Sequence, residues 1–121
     1  MAELGYKNYM FIDGDLPGDG GDPALPGHEA VMITNKNDQD AHIICNFYFE
    51  DKEPVEGLHL TVKAKRVACY HVDQPFCDEQ FQLQPGQYSL ELISDIPVCA
   101  SFGRLDRRYN LGYYSTGWVA I

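Results

Sequence analysis

Asp40–Arg66 reads DAHIICNFYFEDKEPVEGLHLTVKAKR, two amphipathic runs separated by a short acidic break. In the first run Ile43, Cys45, Phe47 and Phe49 share one face, and His42, Ile44, Asn46, Tyr48 and Glu50 share the other. That period of two is the signature of a strand with one buried face. Asp51-Lys52-Glu53-Pro54 interrupts it. After Gly57 the alternation resumes, with Leu58, Leu60, Val62 and Ala64 set against His59, Thr61, Lys63 and Lys65. Two such runs joined by a turn form a β-hairpin, the repeating unit of an antiparallel sheet.

The same reading extends along the chain. Strands are predicted at Tyr9–Asp13, His28–Thr34, Ala41–Glu50, Leu58–Val62, Arg66–Val72, Tyr88–Ser94, Val98–Leu105 and Tyr113–Ala120. Turn signals at Asn35-Lys36-Asn37-Asp38, Gln84-Pro85-Gly86-Gln87 and Ser94-Asp95-Ile96-Pro97 separate them. The expected fold is all-β: a single-domain β-sandwich of about eight mostly antiparallel strands, jelly-roll-like, spanning residues 1–121. Gly14–Gly27 is rich in Gly and Pro and reads as a long loop of the kind that covers a site. Gln74–Phe81 could hold one helical turn.

Composition narrows the function. The chain has 121 residues and a net charge of −9, and that field repels phosphate backbones and anionic membrane surfaces. Its basic residues gather only at Lys63–Arg66 and Arg104–Arg108, so nucleic acid is not an expected partner. No run approaches the roughly 20 apolar residues of a membrane span, and Met1–Ile12 lacks a signal-peptide pattern. A cytoplasmic location with reduced cysteines is expected. Cys45 and Cys99 read as small core residues, and Cys77 as an exposed thiol in the Asp73–Glu79 loop. The four cysteines contain no C-x-x-C pair, and the four histidines are isolated from one another, so neither a metal site nor a cofactor is expected. No nucleophile motif or phosphate loop is present, which argues against an enzyme.

Several polar residues are candidates for a binding site. His28 and Glu29 leave the Gly-rich loop directly and enter a strand whose two parities are both apolar, so the alternation leaves open which of them faces inward. They either tie the loop down or meet a ligand. Arg66 can grip a carboxylate or a vicinal diol with its guanidinium fork, or form an ordinary ion pair. Arg104 and Asp106 follow the apolar run Val98–Phe102 and make either a clamp between strands or subunits, or the polar floor of a pocket. Tyr113, Tyr114 and Trp118 make the C-terminus aromatic, as subunit interfaces often are. Together with the doubly apolar His28–Ile33, they predict self-association.

Ordered matches run from about residue 9 to about residue 118. They comprise Gly14-Asp15-Leu16-Pro17, Gly27-His28-Glu29, Asn35, Asp40-Ala41, Asp51-Lys52-Glu53-Pro54-Val55, Leu60-Thr61-Val62, Arg66, Arg104-Leu105-Asp106-Arg107-Arg108 and Ser115-Thr116. In this the chain resembles the sensory rhodopsin transducer family. The resemblance implies a small β-sandwich assembled as a homotetramer and belonging to a superfamily proposed to bind small, sugar-like molecules. The expected function is a non-enzymatic module that holds a small polar ligand, such as a sugar or sugar acid, through His28, Glu29, Arg66, Arg104 and Asp106. Gly14, Asp15 and Pro17 would lie in the loop above it. The alternatives are a signal-transduction partner that acts by protein–protein contact and a sugar-directed enzyme that uses Glu29 or Asp106 as base.

Overall fold

The computed structural model describes residues 4–16, 27–106, 113–115 and 119–121. Its strands are β1 (Tyr6–Leu16), β2 (His28–Asn35), β3 (Ala41–Phe49), β4 (Val55–Val62), β5 (Arg66–His71), β6 (Gly86–Asp106), β7 (Tyr113–Ser115) and β8 (Val119–Ala120). Every pairing among them is antiparallel. Among the described residues there is no helix, and Gln74–Phe81 is instead a run of turns closed by an isolated bridge between Phe76 and Phe81.

One strand organises the rest. The first part of β6 lies between β3 and β1, up to the Val98–Tyr6 pair, and from Cys99 onward the same strand runs beside β2 and β7. The strand order is therefore β4-β3-β6-β1-β8 on one side and β5-β2-β6-β7 on the other, a sheet curled over on itself around the shared β6. The turn expected at Ser94–Pro97 is absent. Asp95–Pro97 is the stretch of β6 without a ladder partner, so the missing N–H of Pro97 leaves no bond unmade there. The Asn37 side-chain amide donates to the Pro97 carbonyl at 2.7 Å and Ser94 Oγ donates to the Ile96 carbonyl at 2.7 Å, which hold this corner.

Two bulges keep the alternation in phase with the core. On β4 the three-residue step from Val55 to Leu58 faces the two-residue step from Cys45 to Phe47 on β3. Gly57, in the left-handed region at φ +78°, absorbs the extra residue, and its N–H donates to Asn46 Oδ1 at 2.8 Å. The strand consequently begins at Val55, before the glycine where the alternation alone starts it. On β1 the step from Phe11 to Gly14 opposes the shorter step from Leu90 to Tyr88 on β6. This leaves Ile12 and Asp13 exposed and returns Gly14 and Leu16 to the interior.

The core is continuous across both sides of the curled sheet. Phe11 on β1 stacks on Phe102 of β6 with centroids 5.5 Å apart, and Phe47 on β3 touches Phe49, Phe76, Phe81 and Tyr88 at 5.2–6.4 Å. Phe76 and Cys77, from the segment between β5 and β6, are buried in this cluster. Cys77 is therefore a core residue, contrary to the exposed thiol expected from its acidic loop; the Phe76 and Phe81 rings pull the loop onto the sheet. Cys99 lies outward and half-buried, because Thr34, its exposed partner on β2, shares its face.

Candidate functional site

β2 is the strand whose two apolar parities left its orientation open. It is paired on both edges, to β5 and to β6. Glu29, Val31, Ile33 and Asn35 point inward and are fully buried. His28 is thereby turned outward, where its ring stacks on His71 of β5 with centroids 4.6 Å apart. A carboxylate on the inner face of a strand needs partners, since an isolated charge in an apolar interior is prohibitively costly.

Arg104 supplies the first. It lies directly across from Glu29 in the β2–β6 ladder, and its Nε donates to Glu29 Oε2 at 2.9 Å. Both side chains are withdrawn from solvent. The backbone N–H of Asp15 donates to both Glu29 oxygens at 3.1 and 3.2 Å. Arg104 Nη2 donates in turn to the Asp13 carbonyl at 2.7 Å, with the Asp13 carboxylate 3.6 Å away. The end of β1 is thus tied to β2 and β6 through one buried ion pair. Burial still outweighs the Asp15 amide and Arg104 and raises the Glu29 carboxyl above its ordinary value of 4.5.

Tyr88, sixteen residues before Arg104 on β6, completes the group. Its ring lies against the backbone of Gly14, where an added Cβ would sit 2.5 Å from Cζ, so only a glycine lets β1 pass this close. The Tyr88 hydroxyl is buried beside the Glu29 carboxylate, which it approaches as a hydrogen-bond donor without reaching regular bonding geometry, and Asp73 Oδ1 is a second buried polar atom without a bond of regular geometry. Burial, and next the Glu29 charge, push the Tyr88 hydroxyl well above the usual phenol range, with Asp73 adding to the effect. It is a neutral donor at any physiological pH. His71 Nδ1 stands 3.7 Å from Asp73 Oδ1, an electrostatic neighbour beyond hydrogen-bond reach.

The expected site residues therefore separate. Glu29 and Arg104 are brought together, with Gly14 and Asp15 against them as strand residues of β1 rather than as a loop. His28 stands beside them but faces outward. Arg66 does not join the group: it is exposed, pairs with Asn35 at the far end of β2, and donates to the Lys65 carbonyl at 3.0 Å. Six residues of strand at about 3.3 Å each put it roughly 20 Å from Glu29. Asp106 pairs through its backbone with Tyr113, and Leu105 with Tyr114, at the β6–β7 ladder. Pro17 and Trp118 lie outside the described residues. Tyr88 and Asp73 were not legible as site residues. Tyr88 alternates with Leu90 and Leu92 like any core aromatic, and Asp73 comes to the site only through the turn after β5.

The comparisons with known proteins agree with this architecture. A crystal structure of Thermotoga maritima 1070 superposes with a TM-score of 0.81 at 27% identity, covering 96% of this chain and 94% of that one. The Anabaena sensory rhodopsin transducer superposes with a TM-score of 0.73 at 29% identity, covering 87% of this chain and 92% of that one. No curated protein matches the chain. The sequence pattern of the Anabaena sensory rhodopsin transducer family matches residues 4–116, and the chain belongs to that family.

Proposed function

We propose that this transducer-family chain is a non-enzymatic binding module that holds a small polar ligand, a sugar or sugar acid, at the Glu29–Arg104–Tyr88 end of the sheet. The observation that carries this reading is the pair of buried polar atoms left without a hydrogen bond of regular geometry, the Tyr88 hydroxyl and Asp73 Oδ1. Buried polar groups are almost always bonded, and exceptions mark places where something else completes the bonding. The Tyr88 hydroxyl is a donor and Asp73 Oδ1 an acceptor. A ligand hydroxyl both accepts and donates, so it suits either atom, and neighbouring hydroxyls are what sugars provide.

A thermal-shift screen tests it. A binding sugar or sugar acid at a hundred times its dissociation constant should stabilise the protein by about 2.7 kcal/mol, a rise of several degrees in Tm. Tyr88→Phe, which keeps the ring and removes the hydroxyl, should abolish the ligand-induced rise while leaving the unliganded Tm within a few degrees. A screen at millimolar concentration in which nothing raises Tm overturns the reading.

A second reading, signalling by protein contact, rests on a different observation. The outward face of β2 and β5 presents Met32, Val67 and Cys69, with Val67 69% exposed. An apolar sheet face of this kind suits a partner subunit or a signalling protein, as the name of the Anabaena transducer suggests for that protein. The homotetramer belongs to this reading, with Tyr113, Tyr114 and Trp118 as further interface residues. Light scattering at micromolar concentration should give a particle of four chains, and a monomer there would remove the assembly from the proposal.

A further inference from the structure

Cys45 and Cys77 lie 32 positions apart in the sequence and meet in the core. Cys45 stands on the inner face of β3 opposite Leu58 of β4. The segment after β5 is fastened to the residue following Leu58: the Asp78 N–H donates to the His59 carbonyl at 2.8 Å, and the His59 N–H donates to Glu79 Oε1 at 2.7 Å. His59 Nδ1 and Glu79 Oε2 are 2.5 Å apart. Phe76 anchors the other side, edge-on to Phe47 with centroids 5.8 Å apart. Between these ties Cys77 turns inward with φ +67°, a left-handed conformation that a non-glycine residue adopts at a cost. Both thiols are free and buried in the same core cluster, and the two side chains interact. The Cys45 thiol is raised far above its ordinary range, first by Cys77 and then by burial.

We infer that Cys45 and Cys77 form a reversible intramolecular disulfide that locks the 72–81 segment onto the β3–β4 hairpin when the protein meets a hydroperoxide. Cys77 is slightly accessible, at 6% against 0% for Cys45, and so reacts first. Its sulfur takes a hydroxyl from the peroxide as the O–O bond breaks, and the thiol proton leaves with the remaining peroxide oxygen, as water in the case of hydrogen peroxide. The Cys45 sulfur then attacks the Cys77 sulfenic acid and displaces the hydroxyl, which departs as a second water with the Cys45 proton. Two sulfurs have each given one electron, and one hydroperoxide has been reduced. A thiol reductant reverses the change by exchange. Cys69 and Cys99 lie on the outer side of the sheet and take no part.

The test uses the full chain with Cys69→Ser and Cys99→Ser, which leaves only the buried pair. Hydrogen peroxide followed by denaturation and alkylation should give a species about 2 Da lighter than the reduced protein, with neither cysteine alkylated and one linked Cys45–Cys77 peptide on digestion. Its Tm should rise by several degrees and return on reduction, because the bond closes a loop that the unfolded chain otherwise leaves open. Peroxide treatment that leaves both thiols alkylatable, or that adds oxygen to Cys77 as a sulfinic acid without linking it, overturns the inference. So does a linked product whose Tm falls. The same digestion on the unmodified sequence guards against an effect of the serines, and a link there from Cys69 or Cys99 in place of the buried pair counts against it equally.

Discussion

Arg104→Met lowers the stability of the folded chain by about 3–5 kcal/mol, because it leaves the Glu29 carboxylate buried without its cation. The side chains are close in volume, so the loss reports charge rather than shape. The double variant Glu29→Leu with Arg104→Met removes both charges and recovers most of the loss, as buried ion pairs replaced by apolar residues generally do. Urea midpoints for the two single variants, the double variant and the parent close the cycle. A loss below about 1 kcal/mol for Arg104→Met contradicts a paired, desolvated Glu29. The pH profile supplies an independent check. Glu29 has a folded-state pKa above its ordinary 4.5. In the window between the ordinary and the raised value the native chain holds more of that proton than the unfolded chain. The Glu29 contribution to stability is therefore greatest below 4.5 and falls as pH rises through the window. Glu29→Gln removes that slope. Identical slopes for parent and variant would show that burial does not outweigh Arg104 and the Asp15 amide.

Phe47→Ala costs a similar amount, about 3–5 kcal/mol, for a different reason. Phe47 is fully buried on β3 and touches rings from its own strand, from β6 and from the 72–81 segment. Truncation forfeits its transfer free energy and leaves a cavity among rings that cannot collapse, because Tyr88 is pinned against Gly14 and Phe76 against Tyr70. Phe49→Ala, two positions away and half-buried, should cost less than half as much. Equal losses at the two positions would mean that the 72–81 segment does not close over Phe47, and would weaken the placement of Cys77 against Cys45 as well.

Both expectations depend on how much the chain reveals in one dimension. The period-2 alternation of Ala41–Phe49 and Leu58–Val62 determines a hairpin, because each strand can bury only one side. The all-β fold follows from a succession of such runs. The bounds that failed did so where alternation is interrupted on purpose. Gly57 and the Ile12–Asp13 pair are bulges, and a bulge shifts parity by one residue, which in a sequence looks like the end of a strand. Ser94–Pro97 looks like a turn and is the corner at which β6 passes from one side of the curled sheet to the other.

The candidate site divides along the same line. Charge, the lack of a metal-ligand spacing and the interest of Glu29 and Arg104 were legible from residue type alone, since an acidic and a basic residue next to apolar runs must find partners. Their partnership was not, because it depends on the register between β2 and β6, which are separated by some fifty residues. The inward turn of Glu29 was undecidable from a strand apolar on both parities and was settled by β2 pairing on both edges. Tyr88, Asp73 and the Cys45–Cys77 contact are tertiary facts altogether. Local sequence determines which face of a strand is apolar; only long-range strand pairing decides which buried polar groups meet, because that register is set by the packing of the whole core.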